Sequence, residues 1–142
     1  MDILSKDQVA SGPQAERSGT LRLLALLALC SAYIQGPIVK ILDFNGALAE
    51  MEHFGLRPAP LFAVGVIVFE LSMSALILSG ILRRWAALAL ALFTLAATFL
   101  ALRFWELPAG MERSMAMNGF FEHLGLVGAF VLVAWRQAPR TS

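Results

Sequence analysis

The sequence is poor in the side chains that carry most redox and metal chemistry. Its 142 residues include one cysteine and two histidines. Cys30 has no second cysteine to pair with, which excludes dithiol chemistry within one chain, so any thiol partner must be another protein. His53 and His123 lack the spacing along facing helices that a bis-histidine haem site needs, and no Cys, Asp or His cluster suggests another metal. We therefore expect no metal site.

Charged residues are also scarce, at 15% of the chain, and the formal net charge is only +1. The basic residues are dispersed along the sequence, which excludes a nucleic-acid-binding surface. In contrast, 58% of the residues are hydrophobic and the mean hydropathy is +0.72, which is too high for a soluble domain of this size. The composition therefore predicts one compact membrane domain with the lipid bilayer as its surroundings.

Four apolar runs are long enough to cross a bilayer, since a spanning helix needs about 20 residues. We predict these spans at residues 21–41, 59–80, 85–104 and 119–135. Residues 1–20 are polar and are predicted to form a mobile cytoplasmic tail, and residues 136–142 a short basic cytoplasmic tail. The sequence thus predicts one four-span membrane domain, residues 21–135, between two tails.

The connections between the spans carry further signals. Residues 42–58 place apolar side chains at helical spacing among charged ones, which is typical of a short amphipathic helix at the membrane interface. Gly36 and Pro37 are expected to kink or break the first span near its end. Asn118 is suited to cap the start of the last span. A short turn joins the second and third spans, which should therefore be antiparallel neighbours.

The distribution of Lys and Arg predicts the orientation. Seven basic residues flank the side of the membrane that carries the termini and four flank the other side, and such an excess favours the cytoplasm. Trp85 and Trp135 would then mark the inner interface and Trp105 the outer one. The predicted fold is an all-α integral membrane four-helix bundle, with both termini cytoplasmic and a short interfacial helix between spans one and two.

Small residues predict which helix faces meet, because membrane helices associate through close backbone approach rather than through the hydrophobic effect. The third span carries a stripe of small residues, namely Ala87, Ala91, Thr94, Ala97 or Thr98, and Ala101. The fourth span carries Gly125, Gly128 and Ala129. We expect both stripes to face the interior, and we interpret Thr94 and Thr98 as packing residues.

Glu70 is the anomaly of the sequence, because it lies in the middle of the apolar second span, near the expected bilayer midplane. A carboxyl group at that depth is costly and marks a functional site by default. It would be a proton carrier or a ligand contact inside the bundle. The alternative is a protonated carboxyl that only hydrogen-bonds a neighbouring span. Helical spacing puts Glu70 on one face with Ile67, Met73, Ser74 and Ile77.

Other candidate residues lie toward the predicted outer ends of the spans. A polar vestibule above Glu70 is expected from Lys40, Arg103, Glu122 and His123. The simpler interpretation of Glu122 is an interfacial acid stabilised by a helix N-terminus. Tyr33 and Gln35 could hydrogen-bond the head group of a lipophilic molecule such as a quinone, or could satisfy carbonyl groups that Pro37 leaves free.

A series of short motifs suggests a family. In order along the chain they are Gly36-Pro-Ile-Val-Lys40-Ile-Leu-Asp43-Phe44, Phe54-Gly55, Glu70, Gly80 with Arg83-Arg84, Ala97-Thr98, and Asn118-Gly-Phe-Phe121 before Leu126. In order and spacing these motifs resemble the DoxX family of small four-helix bacterial membrane proteins, over about residues 21–135. Many members end in a Gly-rich, Asp-bearing tail, which residues 136–142 do not resemble.

The resemblance implies a multi-pass protein of the bacterial cytoplasmic, or inner, membrane. The family name comes from a subunit of an archaeal quinol oxidase, and members are described as oxidoreductases or as membrane partners of thiol and oxidative-stress enzymes. Carried over by position, the recurrent polar residues of the family correspond to Lys40, Glu70, Arg83 or Arg84, and Asn118.

Three hypotheses follow for the function. The leading one is an accessory subunit or docking partner in a quinone- or thiol-linked redox system, which binds a lipophilic molecule, with a quinone as the candidate cofactor and a redox enzyme or other membrane subunit as the partner. The first alternative is a small proton-coupled carrier, which would need a homodimer because four spans are few. The second is a structural assembly factor. No self-contained catalytic motif is visible, so the sequence leaves open whether the chain is an enzyme.

Overall fold

The computed structural model describes residues 13–136, and these residues form helices and turns without a strand. In chain order the α-helices are α1 (Pro13–Leu42), α2 (Phe44–His53), α3 (Ala59–Ser79), α4 (Arg83–Ala101) and α5 (Met111–Arg136), with a short 3-10 helix at Phe104–Glu106 between the last two. Among the described residues, α1, α3, α4 with the 3-10 helix, and α5 are long and apolar enough to cross a membrane. The predicted all-α membrane bundle is confirmed.

The four long helices pack in chain order, α1 along α3, α3 along α4, and α4 along α5. Tyr33 of α1 reaches across the bundle, where its ring meets Phe130 of α5 edge to face at 5.3 Å between centroids. Fully buried Ile77 of α3 and Leu90 of α4 belong to the same core cluster. The central packing is therefore built by all four long helices.

Helix α2 is the predicted amphipathic connection, and its ends follow from local chemistry. The Asp43 carboxylate accepts a hydrogen bond from the Gly46 amide at 2.9 Å, which satisfies one of the free N–H groups of the first turn. Ala47 and Met51 are buried against Ala59 and Ala63 of α3. Helix α2 is thereby held against the start of α3, at one end of the bundle, which we call the α2 end.

The turn between α3 and α4 is as short as the sequence predicts. Gly80 adopts a positive φ of 85° and ends α3 through a bond from its amide to the Leu76 carbonyl, a conformation that favours glycine. Arg83 then donates from Nε to the Ile77 carbonyl at 2.7 Å. These bonds satisfy two carbonyl groups in the last turn of α3 and fix α3 and α4 as antiparallel neighbours.

Helix α1 differs from its prediction at both ends. It begins at Pro13, so residues 13–20 of the expected tail are helical, while residues 1–12 and 137–142 of the two tails lie outside the described residues. Of the two outcomes expected at Gly36 and Pro37, the break is wrong, because α1 continues to Leu42, and the kink stays a prediction. Proline is tolerated in membrane helices where neighbouring helices cover the backbone, and Pro37 is buried here.

Helix α5 also corrects two expectations. It begins at Met111, so Asn118 lies inside the helix and the prediction that it caps the last span is wrong. Residues 111–117 are mostly good helix formers, and their polarity does not prevent a helix from forming. The inward placement of Gly125 and Gly128 is also wrong, because both are exposed and α5 buries Phe120, Phe130 and Ala134 instead.

Candidate functional site

The α2 end of the bundle contains a cavity of ≈ 440 Å³. We call it the Glu70 cavity. Its apolar lining includes Phe54, Phe62, Val66, Phe93, Leu100 and Leu126, and its polar lining consists of Tyr33, Lys40, Glu50, Glu70, Thr94 and His123. Residues from all five helices, α1 to α5, line this cavity. A mostly apolar cavity with a few polar groups is the usual form of a small-molecule site.

Glu70 points its carboxyl group into the packed interior from the middle of α3. Its predicted face is confirmed, since Ile67, Ser74 and Ile77 are all buried. Oε2 is buried and has no hydrogen-bond partner among the described residues. Opposite this atom lies Gly36 of α1, where an added Cβ would stand 3.9 Å from Oε2. The absence of a side chain at position 36 leaves the carboxyl facing bare backbone instead of a polar group.

Tyr33 and Thr94 form the polar wall beside Glu70. Both residues are buried, at 5% and 2% exposure, and their hydroxyl groups are hydrogen-bonded to each other. The bond joins α1 to α4 across the bundle, while the Tyr33 ring packs against Phe130. Tyr33 is thus fixed by contacts on both its ring and its hydroxyl, which gives the cavity a rigid side.

Thr98 and His123 form a second polar pair, one turn farther along α4. The Thr98 hydroxyl donates to the Thr94 carbonyl at 2.6 Å, and its oxygen lies 3.0 Å from Nδ1 of His123. Thr98 is fully buried, so this contact holds the imidazole of α5 in a fixed orientation at the edge of the cavity. Thr94 and Thr98 were predicted to be packing residues. Their hydrogen bonds to Tyr33 and His123 show that they also join α4 to α1 and α5.

A charged pair closes the α2 end of the cavity. Nζ of Lys40, at the end of α1, lies 3.0 Å from Oε2 of Glu50 on α2, and the two side chains are 19% and 44% exposed. Both residues line the cavity, and Glu70 lies within Coulombic range of both charges. Glu50 was not among the predicted site residues. An acid on the amphipathic helix, close in sequence to a lysine at the end of α1, could have predicted the pair.

The other predicted site residues lie elsewhere. Gln35, Asn118 and Glu122 are exposed and are absent from the cavity lining. Arg103 pairs with Glu106 at 3.1 Å, three residues along the chain. The structure therefore brings Tyr33, Lys40, Glu70 and His123 to one cavity, and leaves Arg103 and Glu122 outside the vestibule in which they were expected.

The arrangement has the features of a binding site for a small molecule. Among residues 13–136, no group of three or more His, Cys, Asp or Glu side chains could hold a metal ion. The cavity has the size of small-molecule pockets, which is roughly 300–1,000 Å³. Its walls are mostly apolar, and Glu70, Tyr33 and His123 contribute polar groups to them.

Comparisons with known proteins place the chain in one family. A family model described as DoxX matches residues 21–103, which is more than half of the chain and extends from α1 through α4. Tyr33, Lys40, Glu50, Glu70 and Thr94 lie within the matched segment. No curated protein and no solved structure matches the chain.

Proposed function

The chain belongs to the DoxX family, and on this premise we propose that it is an accessory subunit or docking partner of a redox system in the bacterial cytoplasmic membrane. In this proposal the bundle binds a lipophilic molecule in the Glu70 cavity. The partner is a redox enzyme or another membrane subunit, and a quinone is the candidate cofactor. The chain itself supplies a binding site and an orientation for that molecule.

One observation carries the proposal: Glu70 lines the cavity, and one oxygen of its carboxyl group, Oε2, is buried without a hydrogen-bond partner among the described residues. An unpaired buried polar atom costs about 1–3 kcal/mol. A group that served only to join two helices would have its partner on the neighbouring helix, and here the neighbouring position is Gly36. A bound molecule with a polar head group would pair with this carboxyl group from the cavity side.

The cavity walls suggest how such a molecule enters. Phe62 of α3 and Leu100 of α4 line the cavity and are also exposed on the outside of the bundle. In a bilayer these side chains face the lipid tails, so the route from the membrane runs between α3 and α4. The Lys40–Glu50 pair stands at the α2 end, which leaves the lateral route as the apolar one.

The remaining polar residues receive roles by position. Glu70 and His123 contact the head group, Tyr33 forms the wall next to it, and Lys40 with Glu50 closes the α2 end. Gln35, Arg103, Asn118 and Glu122 lie outside the cavity, and the proposal gives them no contact with the ligand. A homodimer stays a prediction, as do the cytoplasmic placement of both termini and the identity of the partner.

Purification in mild detergent, followed by mass spectrometry of the extracted small molecules, tests the proposal. We expect the wild-type protein to retain a lipophilic molecule in near-stoichiometric amount and Glu70→Met, which lacks the carboxyl group, to lose most of it. Glu112→Met is the matched control, because Glu112 is an exposed acid in the first turn of α5 and should retain the molecule. Equal amounts in all three proteins, or none in the wild type, would contradict the proposal.

A further inference from the structure

The turn between α3 and α4 holds the side chain of Arg83 in one orientation. Its Nε donates to the Ile77 carbonyl at 2.7 Å, and its guanidinium lies over Gly80, where an added Cβ would stand 3.2 Å from Nη2. Neither Nη1 nor Nη2 forms a hydrogen bond or an ion pair among the described residues. The planar group therefore presents the N–H donors of these two nitrogens at a fixed position.

Arg84 adds a second positive charge at the same turn. Its guanidinium carbon lies 5.5 Å from the ring centre of Trp85, within the range of a cation–π contact. Trp85, Ile81 and Leu82 are all exposed. Because the two helices that the turn joins are long and apolar enough to cross a membrane, these apolar side chains lie at its boundary, where tryptophan is favoured. The two arginines are therefore at the level of the lipid head groups.

The charges at this end of the bundle are unbalanced. Leu26, Ala86 and Ala134 belong to one core cluster, which places the first part of α1 and the end of α5 at the same end as the turn. The charged residues described at this end are one acid and five arginines, namely Glu16, Arg17, Arg22, Arg83, Arg84 and Arg136. At the α2 end the described acids outnumber the basic residues by six to four. The turn end is thus complementary to an anionic partner.

A phospholipid phosphate fits these features together. The guanidinium fork can bind two phosphate oxygens in parallel, and the phosphate lies at the same depth as the turn. A zwitterionic lipid gains less from a group of arginines than an anionic lipid does, because its own cation offsets the phosphate charge. A free phosphate ion could contact the arginines, but it would leave the exposed apolar side chains of the turn without a partner.

We propose that the α3–α4 turn binds the head group of an anionic phospholipid. Arg83 holds the phosphate through Nη1 and Nη2, and Arg84 adds positive charge beside it. The exposed apolar side chains of the turn contact the adjoining acyl chains. This site lies at the opposite end of the bundle from the α2 end, and it does not depend on what the Glu70 cavity binds.

Native mass spectrometry of the detergent-solubilised full chain tests the inference. The chain is incubated with equal amounts of phosphatidylglycerol, which is anionic, and phosphatidylcholine, which is zwitterionic, with the same acyl chains. We expect the wild type to retain at least about tenfold more phosphatidylglycerol, because two basic residues at a lipid surface each contribute several-fold. Inorganic phosphate in large excess should leave the bound lipid in place.

Four variants locate the site. Arg83→Gln and Arg84→Gln should each lower the preference at least about threefold. Arg83→Lys keeps the charge but loses the fork, and should also lower it. Arg17→Gln is the matched control, because it removes one arginine of the same end more than two turns before the first buried residue of α1; it should keep the preference within about twofold. Circular dichroism shows whether the helices are intact, and Arg84→Gln breaks no hydrogen bond among the described residues.

Three results would overturn the inference. Equal retention of the two lipids by the wild type would exclude an anionic-lipid site. A preference that Arg83→Lys keeps in full, while Arg17→Gln lowers it as much as Arg84→Gln does, would show attraction to the net charge of this end instead of a site at the turn. Displacement of the lipid by inorganic phosphate would make the free ion the ligand. The proposed function would stand in all three cases, because none of them involves the Glu70 cavity.

Discussion

Replacing Glu70 by methionine should leave the bundle at least as stable as the wild type while weakening ligand binding. Methionine has nearly the volume of glutamate, and volume-conserving exchanges usually cost less than about 1.5 kcal/mol. In the wild type, Oε2 of Glu70 is buried without a partner among the described residues. The exchange therefore removes an unsatisfied polar atom and breaks no hydrogen bond of that atom.

The magnitude follows from that burial. An unsatisfied buried polar group destabilises by about 1–3 kcal/mol, so we expect the free energy of unfolding of Glu70→Met to be unchanged or higher by up to about that amount. Binding should change in the opposite direction, because the head group loses one acceptor. A hydrogen bond is worth about 0.5–1.5 kcal/mol, or about threefold to tenfold in affinity, and more if the carboxyl is charged.

Thermal unfolding of the detergent-solubilised chain, followed by the helical circular dichroism signal, measures the first quantity. Ser74→Ala is the matched control, because the Ser74 hydroxyl is also buried, with the weakly hydrogen-bonding thiol of Cys30 beside it, and lies one turn farther along the same face of α3. It should likewise leave the unfolding midpoint unchanged or slightly raised, without affecting ligand binding, since Ser74 does not line the cavity.

A decrease in the free energy of unfolding of Glu70→Met would contradict this prediction. If Glu70 were a structural hydrogen bond between helices, Glu70→Met would lower the free energy of unfolding by about 1–3 kcal/mol, the cost of leaving its partner unsatisfied. A clear fall of the unfolding midpoint in Glu70→Met, with none in Ser74→Ala, would support the structural interpretation of Glu70 and remove the main support for a ligand site.

Further predictions concern the surroundings of the cavity. Tyr33→Phe keeps the ring contact with Phe130 but removes the bond to α4, and should lower the free energy of unfolding by about 0.5–1.5 kcal/mol in the same thermal assay; an unchanged midpoint would contradict the structural role of that bond. Glu50→Gln removes the ion pair with Lys40 and, because Glu50 is 44% exposed, should lower the free energy of unfolding by less than about 1 kcal/mol. The molecule bound in the Glu70 cavity should dissociate faster from this variant in a stopped-flow experiment, because the ion pair no longer closes the α2 end of the cavity. An unchanged dissociation rate would exclude that role of the pair. Gly128→Leu adds bulk on an exposed face of α5 and should change the free energy of unfolding by less than about 0.5 kcal/mol. A much larger decrease in that free energy would place this face inside the bundle.

Much of the fold could be predicted because its signals are local. A long apolar run predicts a spanning helix whatever its neighbours are, which explains the agreement at α3 and α4. The amphipathic pattern of α2 likewise depends only on its own residues. The start of α5 was predicted too late because the polar residues before Asn118 indicated a connection between helices, whereas helix formation depends on backbone propensity.

The inward face of α5 could not be predicted from small residues alone. Gly125 and Gly128 predict close approach only if a partner helix lies on that side. The buried side of α5 carries Phe130 instead, whose ring packs on Tyr33, a residue far away in the sequence. The sequence therefore showed that α5 can approach another helix closely, without showing on which face.

The candidate site was predictable in part for the same reason. Glu70 stands out because an intramembrane carboxyl is costly wherever it lies. Thr94 and Thr98 carry no such signal, since their roles come from partners on α1 and α5. Arg103 was expected in the vestibule because it lies at about the same predicted depth as Glu122, which has the opposite charge. In the structure Arg103 instead forms an ion pair with Glu106, which is nearer along the chain.

Photolabelling in native membranes tests the central claim, ligand binding in the Glu70 cavity, most directly. The probe is a lipophilic naphthol that carries a photoreactive diazirine, and labelled peptides are mapped by mass spectrometry. We predict saturable labelling at Phe93 and Leu126, which line the cavity, and its loss in Glu70→Met. Labelling concentrated at Leu92 and Leu132, which are exposed on the outside of the bundle, and equal in both proteins, would contradict it.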